Sequence, residues 1–339
     1  MPHYRQSAML ISVLTLNALF VSACTTTAPE SAHSASVTSK MTQKPSKNQS
    51  STSATTQKTI EIEMVSERQL MDVPYKTIDN KSLAMDIYLP ISDKANTNAH
   101  TSQGYPLAIW VHGGAWKRGD KADFPTKNIN LAKALLSEGY ALASINYRLS
   151  GEATFPAAIE DSKDATQFLL DNAKEYGIDP NRMVIMGRSA GGHLAMLTAT
   201  QLTASEHTRS AQTPKAVVSF FGLYDLLALE EQKSSRSSSS RQSPEGLFLG
   251  DTPSAVPELA KQASPVSFVT PNTPPVLLMH GGMDKQAPVQ QSIDFAKVLD
   301  KNKVPHKMII EDKARHSDPI FDSKAYVDQV LAFLKAHNP

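Results

Sequence analysis

Past residue 60, apolar positions recur first with the period of strands and then in turn with that of helices. "VPYKTIDNKSLAMDIYLP" (73–90) predicts two strands around a polar turn at Asp79-Asn80-Lys81. "PLAIWVH" (106–112) is a short unbroken apolar run, the signature of a strand buried on both faces. A helical stretch over 125–137 leads to a strand in "YALASINY" (140–147). "FPAAIEDSKDATQFLLDNAKEY" then repeats Ala158, Ile159, Ala165, Phe168 and Leu169 at helical spacing. The alternation continues with "RMVIMG" (strand), "HLAMLTATQL" (helix), "KAVVSFFG" and "PPVLLMHG" (strands), "VQQSIDFAKVLDKN" (helix), "HKMIIED" (strand) and a helix over 323–336. Strands alternating with helices, the strands themselves largely apolar, predict an α/β protein with a mostly parallel sheet covered on both faces. Length alone suggests about two domains, but the unbroken alternation places residues 60–339 in one. The polar segment 230–246, "EEQKSSRSSSSRQSPEG", interrupts the order between two strands and predicts a mobile surface loop, placed where an insertion could also cover a site.

The first 59 residues have a different pattern. A weakly basic start is followed by an apolar stretch from about Ala8 to Ala23, short for a membrane span and of the length of a secretory signal core. It ends in "VSAC", whose Cys24 is the one cysteine of the chain, so no intramolecular disulfide can form. Residues 24–59 are dominated by Ser, Thr, Lys, Gln and Pro and cannot bury enough surface to offset their ordering entropy, which predicts a disordered tether. "VSAC" resembles the bacterial lipoprotein signal, which implies removal of residues 1–23 and lipidation of Cys24. Thr25 at the next position then implies the outer membrane, facing the periplasm. Membrane contact is thus expected through the N-terminal anchor only.

Composition narrows the chemistry. The 339 residues carry a formal charge of +1 and are 40% hydrophobic, enough for a sizeable core. No basic run points to nucleic acid. No His/Cys/Asp/Glu set has metal-ligand spacing and no G-x-G-x-x-G occurs, so no cofactor is expected. "GAWKRGDK" lacks the Lys-Ser/Thr pair that a phosphate-cradling loop needs after its second glycine.

"GRSAGG" (187–192) lies between a strand and a helix, the context of a G-x-S-x-G nucleophile elbow. Gly187 and Gly191 keep Cβ atoms out of the tight turn, Ser189 is set at the sheet's C-terminal edge, and the Ala190 N–H faces the place of a developing oxyanion. A serine needs a base, and the base an orienting acid. Asp284 stands just beyond the strand at 276–279 and His316 just beyond that at 306–311; the αβ unit between them brings both to the edge that holds Ser189. Asp225 is a rival acid beyond the preceding strand. Glu311 and Asp312 are too near His316 in sequence to orient it from behind. His193, on the helix after the serine, is read as a packing or hydrogen-bonding residue, and His112 and His280 as structural residues of their turns. "HGGAW" (112–116) ends a strand with two glycines that let backbone N–H groups approach a ligand. Its Trp116 is either a wall of the acyl or alcohol pocket or a core residue.

Taken together, "HGGAWKRGDK", "NYRLS…FPAAIEDSKDA", "GRSAGGHLA" and "HGGMDKQAPVQQS" resemble the esterase/lipase branch of the α/β-hydrolase superfamily over residues 70–337. They are most similar to its feruloyl-esterase-like carbohydrate esterases and to relatives such as kynurenine formamidase. The hormone-sensitive-lipase-like group usually has Asp before the serine and a third glycine in the oxyanion loop, where this chain has Arg188 and Ala115. The resemblance implies Ser189, Asp284 and His316 as triad and the N–H groups of Gly113, Gly114 and Ala190 as oxyanion hole. It also implies a small-molecule ester as substrate. Two other readings compete: an arylformamidase-type amide hydrolase, and a non-catalytic binding lipoprotein on a hydrolase scaffold.

Overall fold

The computed structural model describes residues 62, 66–91, 104–204, 213–233 and 240–338. The signal, Cys24 and the tether assigned to residues 1–59 lie outside these. Among the described residues eight strands form one sheet: β1 (Ser66–Ile78), β2 (Lys81–Pro90), β3 (Tyr105–Val111), β4 (Ala141–Ile145), β5 (Ile178–Arg188), β6 (Ala216–Phe220), β7 (Val276–Gly281) and β8 (His306–Glu311). Their order is β1-β2-β4-β3-β5-β6-β7-β8. Only β1–β2 and β2–β4 pair antiparallel; every pair from β4 to β8 is parallel. The β1–β2 hairpin turns at Asp79 and Asn80, both with positive φ (48° and 64°). Asx residues tolerate this conformation, and its twist matches that of paired strands.

Alternate residues of the central strands serve two cores. Leu107, Ile109, Val111, Met183 and Ile185 pack with Ile159 and Leu169 of α2 (Ala157–Asp171) and Leu194 and Leu197 of α3 (Ala190–Ala204). Ala108, Trp110, Val184 and Met186 pack on the opposite face with Leu131 and Leu135 of α1 (Ile129–Ser137) and Val330 and Leu334 of α8 (Lys324–His337). α7 (Gln290–Lys301) shares the face of α3, through Phe295 and Leu299 against Val217 and Leu278. Period-2 side chains on apolar strands need both faces covered, and the helices between strands supply the cover. Helix α3 is buried on every side from Ala190 to Thr200, as expected for a helix without a polar stripe.

Among its described residues, the interval between β6 and β7 contains three short α-helices that periodicity did not predict: α4 (Leu226–Gln232), α5 (Pro244–Leu249) and α6 (Pro257–Gln262). Each has six or seven residues, too few for an apolar repeat to stand out. The expectation of a mobile loop over 230–246 is corrected for its described part. Ser243 caps α5 through the Gly246 amide (3.0 Å), Lys233 pairs with buried Glu245, and the Phe248 carbonyl accepts from the Phe155 amide (2.7 Å). Residues 234–239 lie outside the described residues.

Candidate active site

Four parallel strands deliver the site, because in a parallel sheet every strand's C-terminal end opens on the same edge. β5 ends at Arg188, and Ser189 follows with φ 54° before α3 begins. A residue other than glycine in this conformation is strained and needs an imposed surrounding. The Ser189 N–H donates to the Phe220 carbonyl (2.9 Å), and its carbonyl accepts from the His193 amide (2.9 Å). A Cβ on Gly187 would stand 2.3 Å from the Gly191 carbonyl oxygen, and one on Gly191 2.1 Å from that of Val111. The two glycines are therefore required by the closeness of β5, α3 and β3.

His316 Nε2 lies 2.9 Å from Ser189 Oγ, and its Nδ1 lies 2.6 Å from Asp284 Oδ2. Since the carboxylate only accepts, Nδ1 carries the proton and Nε2 is free to accept from the serine hydroxyl. Asp284 Oδ1 accepts from the amides of Gln286 (2.8 Å) and Ala287 (2.9 Å). His280 approaches Oδ2 at 3.4 Å while bonding Ser292 and the Ala287 carbonyl. Asp284 is only 7% exposed. Burial alone would raise its pKa, but hydrogen bonds from His280, His316 and the Ala287 amide, with the charge of His316, hold the carboxyl well below the usual carboxylate range. Phe221 meets the His316 ring edge-on at 4.9 Å.

The rival acids are placed elsewhere. Asp225 caps α4, accepting from the amides of Leu227 and Ala228 (both 3.0 Å). Glu311 accepts from the Tyr326 hydroxyl.

After β3 the chain runs through His112-Gly113-Gly114. Gly114 has φ 128°, and a Cβ there would fall 1.9 Å from the Arg118 carbonyl oxygen. Ala115 and Trp116 follow with φ 57° and 56°. Tyr147 anchors the start of the loop: its hydroxyl donates to the His112 carbonyl (3.0 Å) and its ring stacks on the imidazole at 4.3 Å. Among the described residues the Gly113 and Gly114 amides make no hydrogen bond within the chain, and both glycines line the cavity over Ser189. Ala190 opens α3, where N–H groups have no intrahelical acceptor.

Trp116 is a core residue. It is 1% exposed, stacks on Phe248 at 4.7 Å and donates from Nε1 to His193 Nδ1 (3.1 Å). Two successive left-handed residues swing the indole inward, and so it does not line the cavity. His193, wholly buried, donates in turn from Nε2 to the Ala263 carbonyl (2.6 Å). Burial lowers its pKa to about 4 against the opposing Ala263 bond, keeping the ring neutral.

The cavity has a volume of about 730 Å³ and is lined by both ends of the Ser189–His316 contact, by the glycine loop and by charged side chains including Arg118, Lys127 and Arg188. A neighbouring cavity of about 560 Å³ shares Lys127, Asn128, Arg188 and Ser317 with it and adds Phe220, Phe221 and Phe321. Sequence reasoning noted Arg188 only as a departure from a related pattern. Its contact with Asn128, sixty positions away, had no local signal. Among the described residues no group of three or more His, Cys, Asp or Glu is arranged to hold a metal ion.

An eight-stranded, mostly parallel sheet in this order, with helices on both faces and a serine on the turn after its fifth strand, has the α/β-hydrolase fold. Solved structures share it. A truncated carbohydrate esterase from gut microbiota is matched with a TM-score of 0.69 at 26% identity, over 81% of this chain and 97% of its own. Esterase LipW of Mycobacterium marinum gives 0.65 at 19% identity, over 86% of this chain and 88% of its own. Within that class the chain belongs to the BD-FAE family, whose pattern matches residues 85–299. Two curated relatives are esterases of Mycobacterium tuberculosis. LipC is 32% identical over 201 residues (57% of this chain, 48% of LipC), and LipQ 31% over 239 (68% of this chain, 52% of LipQ). The chain spans about half the length of these curated relatives.

Proposed function

We propose that the chain is a serine hydrolase of carboxylic esters acting through Ser189, His316 and Asp284, with short-chain or carbohydrate-linked esters as substrates. The observation that carries this reading is the continuous contact from Ser189 Oγ through the imidazole to a buried, fully bonded carboxylate, opening on the cavity. Esterase names among the relatives and neighbours support the bond type, and the carbohydrate esterase neighbour supports the substrate class.

In this mechanism His316 Nε2 takes the hydroxyl proton as Oγ attacks the ester carbonyl. The resulting oxyanion is met by the N–H groups of Gly113, Gly114 and Ala190. Collapse of the intermediate expels the alcohol, which takes the proton from Nε2 and leaves an acyl-Ser189. His316 then deprotonates water, whose attack releases the acid and restores the serine. Asp284 holds Nδ1–H toward itself throughout and stabilises the imidazolium.

The test is hydrolysis of p-nitrophenyl esters from acetate to laurate by residues 60–339, with fluorophosphonate labelling in parallel. Ser189→Ala is expected to abolish labelling and reduce kcat by about a million-fold, and Asp284→Asn to reduce it by about ten-thousand-fold. Turnover retained by Ser189→Ala, or a folded wild type that neither labels nor hydrolyses, would overturn the assignment.

A further inference from the structure

Arg188 precedes the serine and lies where the two cavities meet, lining both. The guanidinium offers five donors, and the hydrogen bond it makes among the described residues is a single long one, Nη1 to Asn128 Oδ1 at 3.3 Å. It has no ion pair there. The acids that act on it over distance are already engaged: Asp123 pairs with Lys127 (2.7 Å), and Asp322 receives the amides of Asn130 (3.1 Å) and Leu131 (2.9 Å) at the start of α1. Asp120, also in the larger cavity, is taken up by the Ala122 amide and Asn146 (both 2.9 Å). Arg118 lines the same cavity, likewise without an ion pair among the described residues.

A half-buried guanidinium with most donors unused is costly unless something accepts from them. Burial lowers the Arg188 pKa, and Asp123 and Asp322 only partly oppose this. Its planar fork matches a carboxylate bidentately, which a lysine at this position would not. Its aliphatic stem lies against the glycine loop, where a Cβ on Gly113 would stand 3.4 Å from Arg188 Cγ.

Resting on the ester-hydrolase reading, we propose that Arg188 determines specificity by binding an anion, and that the favoured substrates are esters carrying a carboxylate on their acyl or alcohol part. Such a group, a few bonds from the carbonyl held at Ser189, completes the donors of Arg188, with Arg118 lining the same cavity. The neutral remainder of the ester packs along Phe220, Phe221 and Phe321.

The experiment compares charged and neutral partners on each side of the ester. p-Nitrophenyl hemiglutarate against p-nitrophenyl pentanoate tests the acyl side; 4-acetoxybenzoate against its methyl ester tests the alcohol side. Wild type, Arg188→Gln and Arg188→Lys are measured, with rates normalised to fluorophosphonate-titrated sites. The wild type is expected to favour the anionic ester of one pair. The charged-to-neutral ratio of kcat/KM should fall at least about tenfold in Arg188→Gln and be partly restored in Arg188→Lys. An unchanged ratio in Arg188→Gln, or a wild type that disfavours the anion in both pairs, overturns the proposal. Should Arg188→Gln fail to label, the wild type alone decides: glutarate must inhibit pentanoate hydrolysis competitively at lower concentration than glutaramide, and equal inhibition refutes the anion site. Turnover of none of the four esters would instead overturn the ester-hydrolase reading itself.

Discussion

Ser189 and Gly114 are the two residues whose backbone angles the site cannot give up. Ser189 is held at φ 54° by bonds to Phe220 and His193, and the helix that follows must start there. Gly114 has the other constraint. Its carbonyl receives the amides of Lys117 and Arg118 (both 3.2 Å), so the loop folds back over its own α-carbon. A methyl group there meets the Arg118 carbonyl and a φ that L residues rarely adopt. Gly114→Ala is therefore expected to move the amides proposed as oxyanion donors while the sheet survives. The expected loss in kcat is about a hundred- to a thousand-fold, with an unchanged far-UV spectrum. A kcat within about threefold of wild type would remove Gly114 from the oxyanion assignment. These positions were legible in the sequence because glycine spacing around a serine reports backbone shape directly. Trp116 was not: its two possible fates, wall or core, differ only by the left-handed turn at Ala115-Trp116, and no side-chain type announces that.

At the scale of elements, the glycine loop, α3 and the end of α6 are tied by one line of hydrogen bonds, Trp116 to His193 to the Ala263 carbonyl. His193 can serve in it only while neutral, because Nδ1 must accept. Its pKa of about 4 in the fold lies below its ordinary value of 6.5. The unfolded chain thus binds the proton more readily between these values. The stability is complete above about pH 6.5 and is lost as pH falls toward 4, by about 3 kcal/mol at most. Denaturant unfolding of wild type and His193→Asn between pH 7 and 4 checks this: the difference in stability should shrink as pH falls. Parallel curves would show that His193 does not titrate on unfolding. The long elements, β3, α2, α3 and α7, could be read from periodicity because each contains enough residues for a repeat. α4 and α5 could not, since capping by Asp225 and Ser243 and packing of Phe248 on Trp116 define them rather than any internal pattern, and α6, without a side-chain cap, has only six residues.

Over the whole molecule, topology makes the candidate triad legible from the sequence. A parallel sheet sends the ends of β5, β7 and β8 to one edge, and the αβ unit between Asp284 and His316 fixes them as neighbours. Nothing in that rule says which charges will gather around the edge, and the unused donors of Arg188 emerge only from the packed structure. The same sheet order has a consequence for how activity would be lost. Ser189 hangs from β5, enclosed by β3 and β6, and Asp284 from the wholly buried β7, whereas His316 hangs from β8, an outermost strand with half-exposed side chains. Opening free energies follow burial, so an edge strand detaches more readily than the strands it borders. Amides of β8 should exchange with deuterium at a lower opening free energy than those of β3 and β5, and equal protection would contradict this. In such excursions Ser189 and the glycine loop, the proposed nucleophile and oxyanion donors, stay in place while His316, the proposed base, departs. The population lacking its base is then set by the adhesion of one strand to its neighbour, and the fold can persist intact after its chemistry has been switched off.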